Sequence, residues 1–319
     1  MPGAAAQEIH VDSSGILWIT EADGNAVRQF NPATGVYTDY AGIGSPGDAQ
    51  IGPDGNLWWT GDDFRYLGRM NVATRLVTTW TVAAFSPLGL AFDGSGRVWF
   101  MDDDPPGGAY RFNPATNQLC QVDLPAVVPG RGSYIVEHNG ALWLGDQVNG
   151  GIGRITPTTN AYTFWTINPI TPAVPYALAF APNGDVWYTD YSQGKIGRLE
   201  PAANRARLYG TAGLNEPAQL AFHAGKVWFT QEFDGNVSFV DPAVAAGEPP
   251  LVVTPTLYTL SPVCASNPVA GTFTAPITTG VASFSPVVLG LNANPETTPW
   301  PLRLPMARPS FRPQAGPIE

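Results

Sequence analysis

Six segments of this chain carry a tryptophan on the same short frame. They are Gly15-Ile16-Leu17-Trp18-Ile19-Thr20, Gly55-Asn56-Leu57-Trp58-Trp59-Thr60, Gly96-Arg97-Val98-Trp99-Phe100-Met101, Gly140-Ala141-Leu142-Trp143-Leu144-Gly145, Gly184-Asp185-Val186-Trp187-Tyr188-Thr189 and Gly225-Lys226-Val227-Trp228-Phe229-Thr230. Successive tryptophans are 40, 41, 44, 44 and 41 residues apart. A period of this length matches one four-stranded sheet per repeat. Such a sheet cannot bury its faces alone, so the repeats must stack in a ring.

Each repeat reads alike. An apolar run such as Ala177-Leu178-Ala179-Phe180 is strand A, and Pro182-Asn183-Gly184 is a turn. Strand B carries the Trp, and a polar turn leads to strand C, Lys195-Ile196-Gly197-Arg198-Leu199. Strand D is Arg207-Leu208-Tyr209. Runs this short, punctuated by turn residues, cannot be helices. The composition agrees: 44% of residues are hydrophobic, which supplies a core, while 35 Gly and 32 Pro supply turns.

Six tryptophan repeats leave the residues after about 250 to be placed. A worn seventh repeat fits over about 262–304: Thr272-Phe273-Thr274 lies 44 residues beyond Trp228-Phe229-Thr230, and Trp300-Pro301-Leu302-Arg303-Leu304 supplies a last strand. A closed ring removes free sheet edges, which favours this completion. The expected fold is an all-β, seven-bladed β-propeller over residues 1–304, with a Pro-rich tail at 305–319. The alternative is six blades plus a small C-terminal β segment.

The motif Gly-x-Leu/Val-Trp-Phe/Tyr-Thr-Asp/Glu, followed by Gly-x-Ile-Gly-Arg-Ile/Leu-x-Pro, resembles the repeat of the virginiamycin B (streptogramin) lyases. Residues 184–201 are the nearest copy, and NHL and SMP-30-like propellers are looser relatives. The resemblance implies the fold, and it implies for a lyase a His base near the channel mouth with acids and Mg2+. Here the D–A loops, where that base is wanted, read Ser45-Pro46-Gly47-Asp48, Ser86-Pro87-Leu88-Gly89, Val174-Pro175-Tyr176-Ala177 and Glu216-Pro217-Ala218-Gln219. His138 and His223 fall at A–B turns on the opposite face, and His10 lies inside the first strand A as a packed residue. No catalytic residue carries over.

Acids recur in the B–C turns: Glu21, Asp62 or Asp63, Asp102, Asp146, Asp190 and Glu232, with Asp103 and Asp104 added in repeat three. Gathered at one mouth with Asp48, Arg131, Tyr176 and Glu216 of the D–A loops, they would form a ligand face. Asp102, Asp103 and Asp104 are the best metal candidates, for Ca2+ or Mg2+ held through oxygen. The structural alternative is a ladder in which these acids pair with Arg28, Arg69, Arg111, Arg154 and Arg198 of strand C. The tryptophans read as inter-blade packing, with Trp59 as a core residue of the other sheet face.

Net charge is -10, which repels phosphate backbones and makes nucleic acid a poor partner. No run is long and apolar enough for a spanning helix. The opening Met1-Pro2-Gly3-Ala4-Ala5-Ala6 lacks the features of a signal peptide. Scarce lysine with abundant Thr, Pro and Trp favours an extracellular or cell-surface setting, with the cytoplasm as alternative. Cys120 and Cys264 are expected as free thiols, because repeats three and seven are not neighbours in a seven-blade ring. In the tail, Arg308, Phe311 and Arg312 form a basic arm suited to docking on a partner or a second subunit, or a disordered end. Three function classes follow: a non-catalytic binding or scaffold propeller, a metal-dependent lyase or hydrolase, and a structural subunit of an extracellular assembly using its C-terminal arm.

Overall fold

A computed structural model of the chain describes residues 6–281 except 13, 22–24, 62–64, 83–86, 103–107, 126–133, 147–149, 168–173, 192, 211–216, 232–235, 246 and 267–269. Blade 1 is β1 (Ala6–Val11), β2 (Leu17–Glu21), β3 (Ala26–Asn31) and β4 (Val36–Ala41). Blade 2 is β5 (Pro46–Ile51), β6 (Leu57–Gly61), β7 (Tyr66–Met70) and β8 (Leu76–Thr81). Blade 3 is β9 (Pro87–Phe92), β10 (Val98–Asp102), β11 (Gly108–Asn113) and β12 (Gln118–Val122). Blade 4 is β13 (Ile135–His138), β14 (Ala141–Asp146), β15 (Gly151–Thr156) and β16 (Ala161–Thr166). Blade 5 is β17 (Pro175–Phe180), β18 (Val186–Asp190), β19 (Lys195–Glu200) and β20 (Arg205–Gly210). Blade 6 has three strands among the described residues: β21 (Pro217–His223), β22 (Lys226–Gln231) and β23 (Asn236–Val240).

The repeat motif now has a physical reading. The glycine before strand B has positive φ in every blade, for example +88° at Gly184, where an added Cβ would meet open space; backbone conformation, not room, requires glycine there. The glycine of strand C answers to room instead. A Cβ on Gly197 or Gly68 would run into the ring of Tyr188 or Trp59 on the neighbouring strand. The motif Trp is a packing residue as expected. Trp18, Trp58, Trp99, Trp143 and Trp187 are buried, each in a cluster shared with the next blade, and Trp59 is fully buried.

The strand C arginines lie over those indoles. Arg69, Arg111, Arg154 and Arg198 place their guanidinium carbons 5.5, 5.6, 5.6 and 5.7 Å from the rings of Trp58, Trp99, Trp143 and Trp187, their cross-strand partners. The indole N–H groups of Trp18, Trp58 and Trp99 donate to Asp12, Asp54 and Asp93 of the A–B turns at 3.0, 3.0 and 2.8 Å. Blade 1 departs from this pattern. Gln29 stands opposite Trp18, and Arg28 reaches Asp39 at 2.6 Å and Glu21 at 3.2 Å. The strand C arginines therefore stack mainly on tryptophan, and Arg28 reaches the acid at the end of its strand B.

The expected seventh blade is replaced by a belt, so the described residues form six blades with a C-terminal β segment. Five short strands, β24 (Leu251–Val252), β25 (Pro255–Thr259), β26 (Val263–Ser266), β27 (Ala270–Thr274) and β28 (Ile277–Val281), each add to the outer edge of a different blade. Their partners are β20, β16, β12, β8 and β4, so the chain travels back around the ring from blade 5 to blade 1. Thr272-Phe273-Thr274, expected in a strand B, is an outer strand of blade 2. Residues 282–319 lie outside the described residues. The free thiols are likewise corrected. Cys264 of the belt is bonded to Cys120 of β12 in a disulfide, because the belt, unlike a seventh blade, crosses blade 3.

Between belt strands the chain dips inward. Val253 is buried in the cluster between blades 5 and 4, Leu260 between blades 4 and 3, and Ala275 between blades 2 and 1. Their N–H groups donate to the carbonyls of Asn204, Asn160 and Arg75 at 2.9, 2.8 and 3.1 Å. Those acceptors are the positive-φ residues of the C–D turns.

Blades 1 to 6 pack in succession, β1 on β5, β5 on β9, β9 on β13, β14 on β17 and β17 on β21, mostly through their first strands. Among the described residues no strand of blade 6 packs on blade 1 to a comparable degree. Trp228 of blade 6 is only half-buried, its Val237 and Phe239 are 64% and 47% exposed, and Ile9 and Val11 of blade 1 are 58% and 65% exposed.

Candidate functional site

The D–A and B–C ends of the strands meet at one end of the ring, and a bulge shapes this end. Strand A slips register near its start in blades 2, 5 and 6, between Pro46 and Ala49, Pro175 and Leu178, and Pro217 and Leu220. In each bulge a backbone N–H, of Asp48, Ala177 or Gln219, donates to the strand B threonine hydroxyl of Thr60, Thr189 or Thr230 at 3.1 Å. This explains the threonine two residues after the motif Trp. Bulges re-aim side chains, and here they set Asp48 and Tyr176.

Asp48 is buried and joins three blades. Its Oδ1 is 2.8 Å from Nε2 of His10 in blade 1, and its Oδ2 accepts the Leu90 N–H of blade 3 at 2.7 Å. His10 keeps about a third of its side chain exposed. It lies in strand A as the sequence indicates, but as a hydrogen-bond partner of Asp48 rather than a residue packed by shape alone. His138 and His223 end their A strands, beside the A–B turns. His138 stacks on Phe180 with ring centroids 4.1 Å apart.

Tyr176 belongs to a row of three rings. Its centroid lies 5.5 Å from that of Tyr134 and 5.6 Å from that of Tyr191. All three are half-buried, and the row spans the mouths of blades 4 and 5. The sequence signalled Tyr176 through its D–A loop position. Tyr134 and Tyr191 carry no motif of their own, and only the fold brings them alongside.

The acids are less open than a mouth-lining ring requires. Glu21, Asp102, Asp146 and Asp190 are the last residues of their B strands and are all buried. Asp190 accepts N–H groups from Val174 and Gln193 at 3.2 Å, tying the loop before strand A to the turn after strand B. Burial raises the Glu21 carboxyl above its ordinary value, and Arg28 offsets only part of that because Asp39 shares its guanidinium. Among the described residues no group of three or more His, Cys, Asp or Glu is arranged to hold a metal ion. Asp62, Asp103, Asp104, Arg131, Glu216 and Glu232, and the tail residues Arg308, Phe311 and Arg312, lie outside the described residues.

Comparison with solved structures bears on the frame itself. A catalytically inactive variant of virginiamycin B lyase from Staphylococcus aureus with quinupristin superposes with a TM-score of 0.66 at 23% identity, over 75% of this chain and 81% of that one. A streptogramin B lyase gives 0.66 at 19% identity, over 82% and 85% of the two chains. The fold is a virginiamycin B lyase-like β-propeller. A chain of a nidogen/laminin complex also shares the propeller frame, with a TM-score of 0.52 at 17% identity over 82% of this chain and 96% of that one. No protein-family model and no curated protein matches the chain. At these identities the likeness speaks for the virginiamycin B lyase-like frame and not for an activity.

Proposed function

We propose that the chain is a non-catalytic binding propeller that takes a hydroxyl-rich ligand on the tyrosine row at the D–A and B–C end of the ring. The observation that carries this reading is the row of three half-buried rings across two blades, with Tyr134 and Tyr191 each packed on Tyr176. Half-buried tyrosines present an apolar face for stacking and a hydroxyl for hydrogen bonding at little entropic cost. A glycan array probed with the labelled full chain tests it. Retention of one glycan class, weakened at least about tenfold by Tyr176→Ala at unchanged melting temperature, is the expected result. Binding indifferent to that change, or no glycan retained, overturns it.

One observation favours a second reading, a metal-dependent lyase or hydrolase. A carboxylate hydrogen-bonded to an imidazole, as Asp48 is to His10, is the arrangement that orients a general base. Ca2+ or Mg2+ would then be held by the acids of repeat three. A melting temperature raised by one of these ions and insensitive to it in Asp102→Asn would favour this reading. The Cys120–Cys264 disulfide supports an oxidising, extracellular setting for either.

A further inference from the structure

The belt follows a rule that its last described strand does not complete. Its strands from β25 onward begin at 255, 263, 270 and 277, one step of seven or eight residues per blade. After the strands on blades 5, 4 and 2 a buried residue plugs the crevice toward the next blade: Val253, Leu260 and Ala275. A proline follows each plug within two residues, at Pro255, Pro262 and Pro276. β28 occupies blade 1, and the next crevice in the same direction is the seam between blades 1 and 6.

The sequence repeats the plug at this point. Phe284-Ser285-Pro286-Val287 has the form of Leu260-Ser261-Pro262-Val263. Blades 6 and 1, the two ends of the series of packed blades, both expose large apolar groups, Val237 and Phe239 on blade 6 and Ile9 and Val11 on blade 1. Blade 6 also has no outer strand on β23 among the described residues, whereas every other blade carries a fourth and a fifth. An unpaired strand edge beside an apolar face is a site for further chain.

We propose that the segment of this same chain following Val281 continues the belt across the seam, with Phe284 as its plug, and covers the exposed face and outer edge of β23. The chain has 38 residues beyond 281, which at about 3.3 Å per extended residue exceeds the width of a blade several times over. The covering segment closes the ring without a seventh blade.

A single cysteine at the seam reports the cover, because Cys120 and Cys264 are bonded to each other and give no background. The rate of maleimide labelling is measured for Val237→Cys in the full chain and in a chain ending at Val281. Labelling at least tenfold slower in the full chain, independent of protein concentration, is expected. Equal rates overturn the proposal. Protection that grows with concentration also overturns it, by assigning the seam to the tail of a second copy. Should the shortened chain fail to fold, Phe284→Asp in the full-length Val237→Cys protein gives the same comparison, with faster labelling expected. Hydrogen exchange of the β23 amides, slow in the full chain and fast in Phe284→Asp, distinguishes a covered edge from a covered face alone.

Discussion

Cys120, on the fourth strand of blade 3, is bonded to Cys264 of the returning belt, 144 residues later in sequence. The bond fixes the middle of the belt to the ring. In the chain-entropy picture a loop of this length is worth about 5 kcal/mol, and measured disulfides give about 2–4 kcal/mol. Denaturant unfolding under reducing conditions should therefore show a loss of about 2–4 kcal/mol relative to oxidising conditions. Cys264→Ser should show the same loss and no response to reductant.

Asp48 should matter more than its lone carboxyl suggests. Replacement by Ala strips the acceptor from His10 and from the buried Leu90 N–H at once. A loss of about 2–4 kcal/mol is expected from urea unfolding. Asp48→Asn, which keeps one carbonyl oxygen, should lose about half as much.

Gly197 is opposed by the ring of Tyr188 across the strand pair. Gly197→Ala forces that ring to shift in a fully buried setting and should cost about 1–3 kcal/mol. Gly197→Ala combined with Tyr188→Leu should recover part of the loss, a non-additivity readable in a double-mutant cycle.

Glu21 provides a pH signature. Its folded pKa is raised above the ordinary value of 4.5 by burial, with partial relief from Arg28. Between those two values the folded protein holds a proton that the unfolded chain releases. The contribution is full below 4.5 and is lost as pH rises through the folded value. Glu21→Gln should flatten the corresponding limb of the stability curve, measured as urea midpoints from about pH 4 to about pH 7. An unchanged slope would assign that limb to other groups.

The repeat was legible because it is dictated locally. The positive-φ glycine, the threonine that catches the bulge N–H and the Trp under its arginine each leave a mark at a fixed spacing. The belt was not, because its strands are defined by what they lie against. Leu251–Val281 shows short apolar pieces that any β reading would take for a blade, and its own period is marked by little more than Pro255, Pro262, Pro268 and Pro276, at uneven spacings of six to eight. Missing that period also hid the pairing of Cys120 with Cys264. At the candidate site, Tyr176 could be placed by its repeat position. Tyr134 and Tyr191 could not, since a contact across two loops leaves no spacing to read. Glu21, Asp102, Asp146 and Asp190, read from the sequence as B–C turn residues, are the last residues of their B strands, but burial depends on neighbouring blades and is silent in the sequence.

The two ends of the described chain sit on one sheet, with β1 at one edge of blade 1 and β28 at the other. A pull applied at Ala6 and Val281 therefore enters the molecule through blade 1 alone. It first strips β28 and then β27, each held at one outer edge, while the remaining blades carry no load. The stripping halts at Cys264, where tension passes directly into β12 through a covalent bond. Everything from Cys120 to Cys264 lies within the covalent loop and is shielded from extension. The propeller thus divides mechanically at blade 3, into a part that can be drawn out from its ends and a part that stays locked until the sulfurs are reduced.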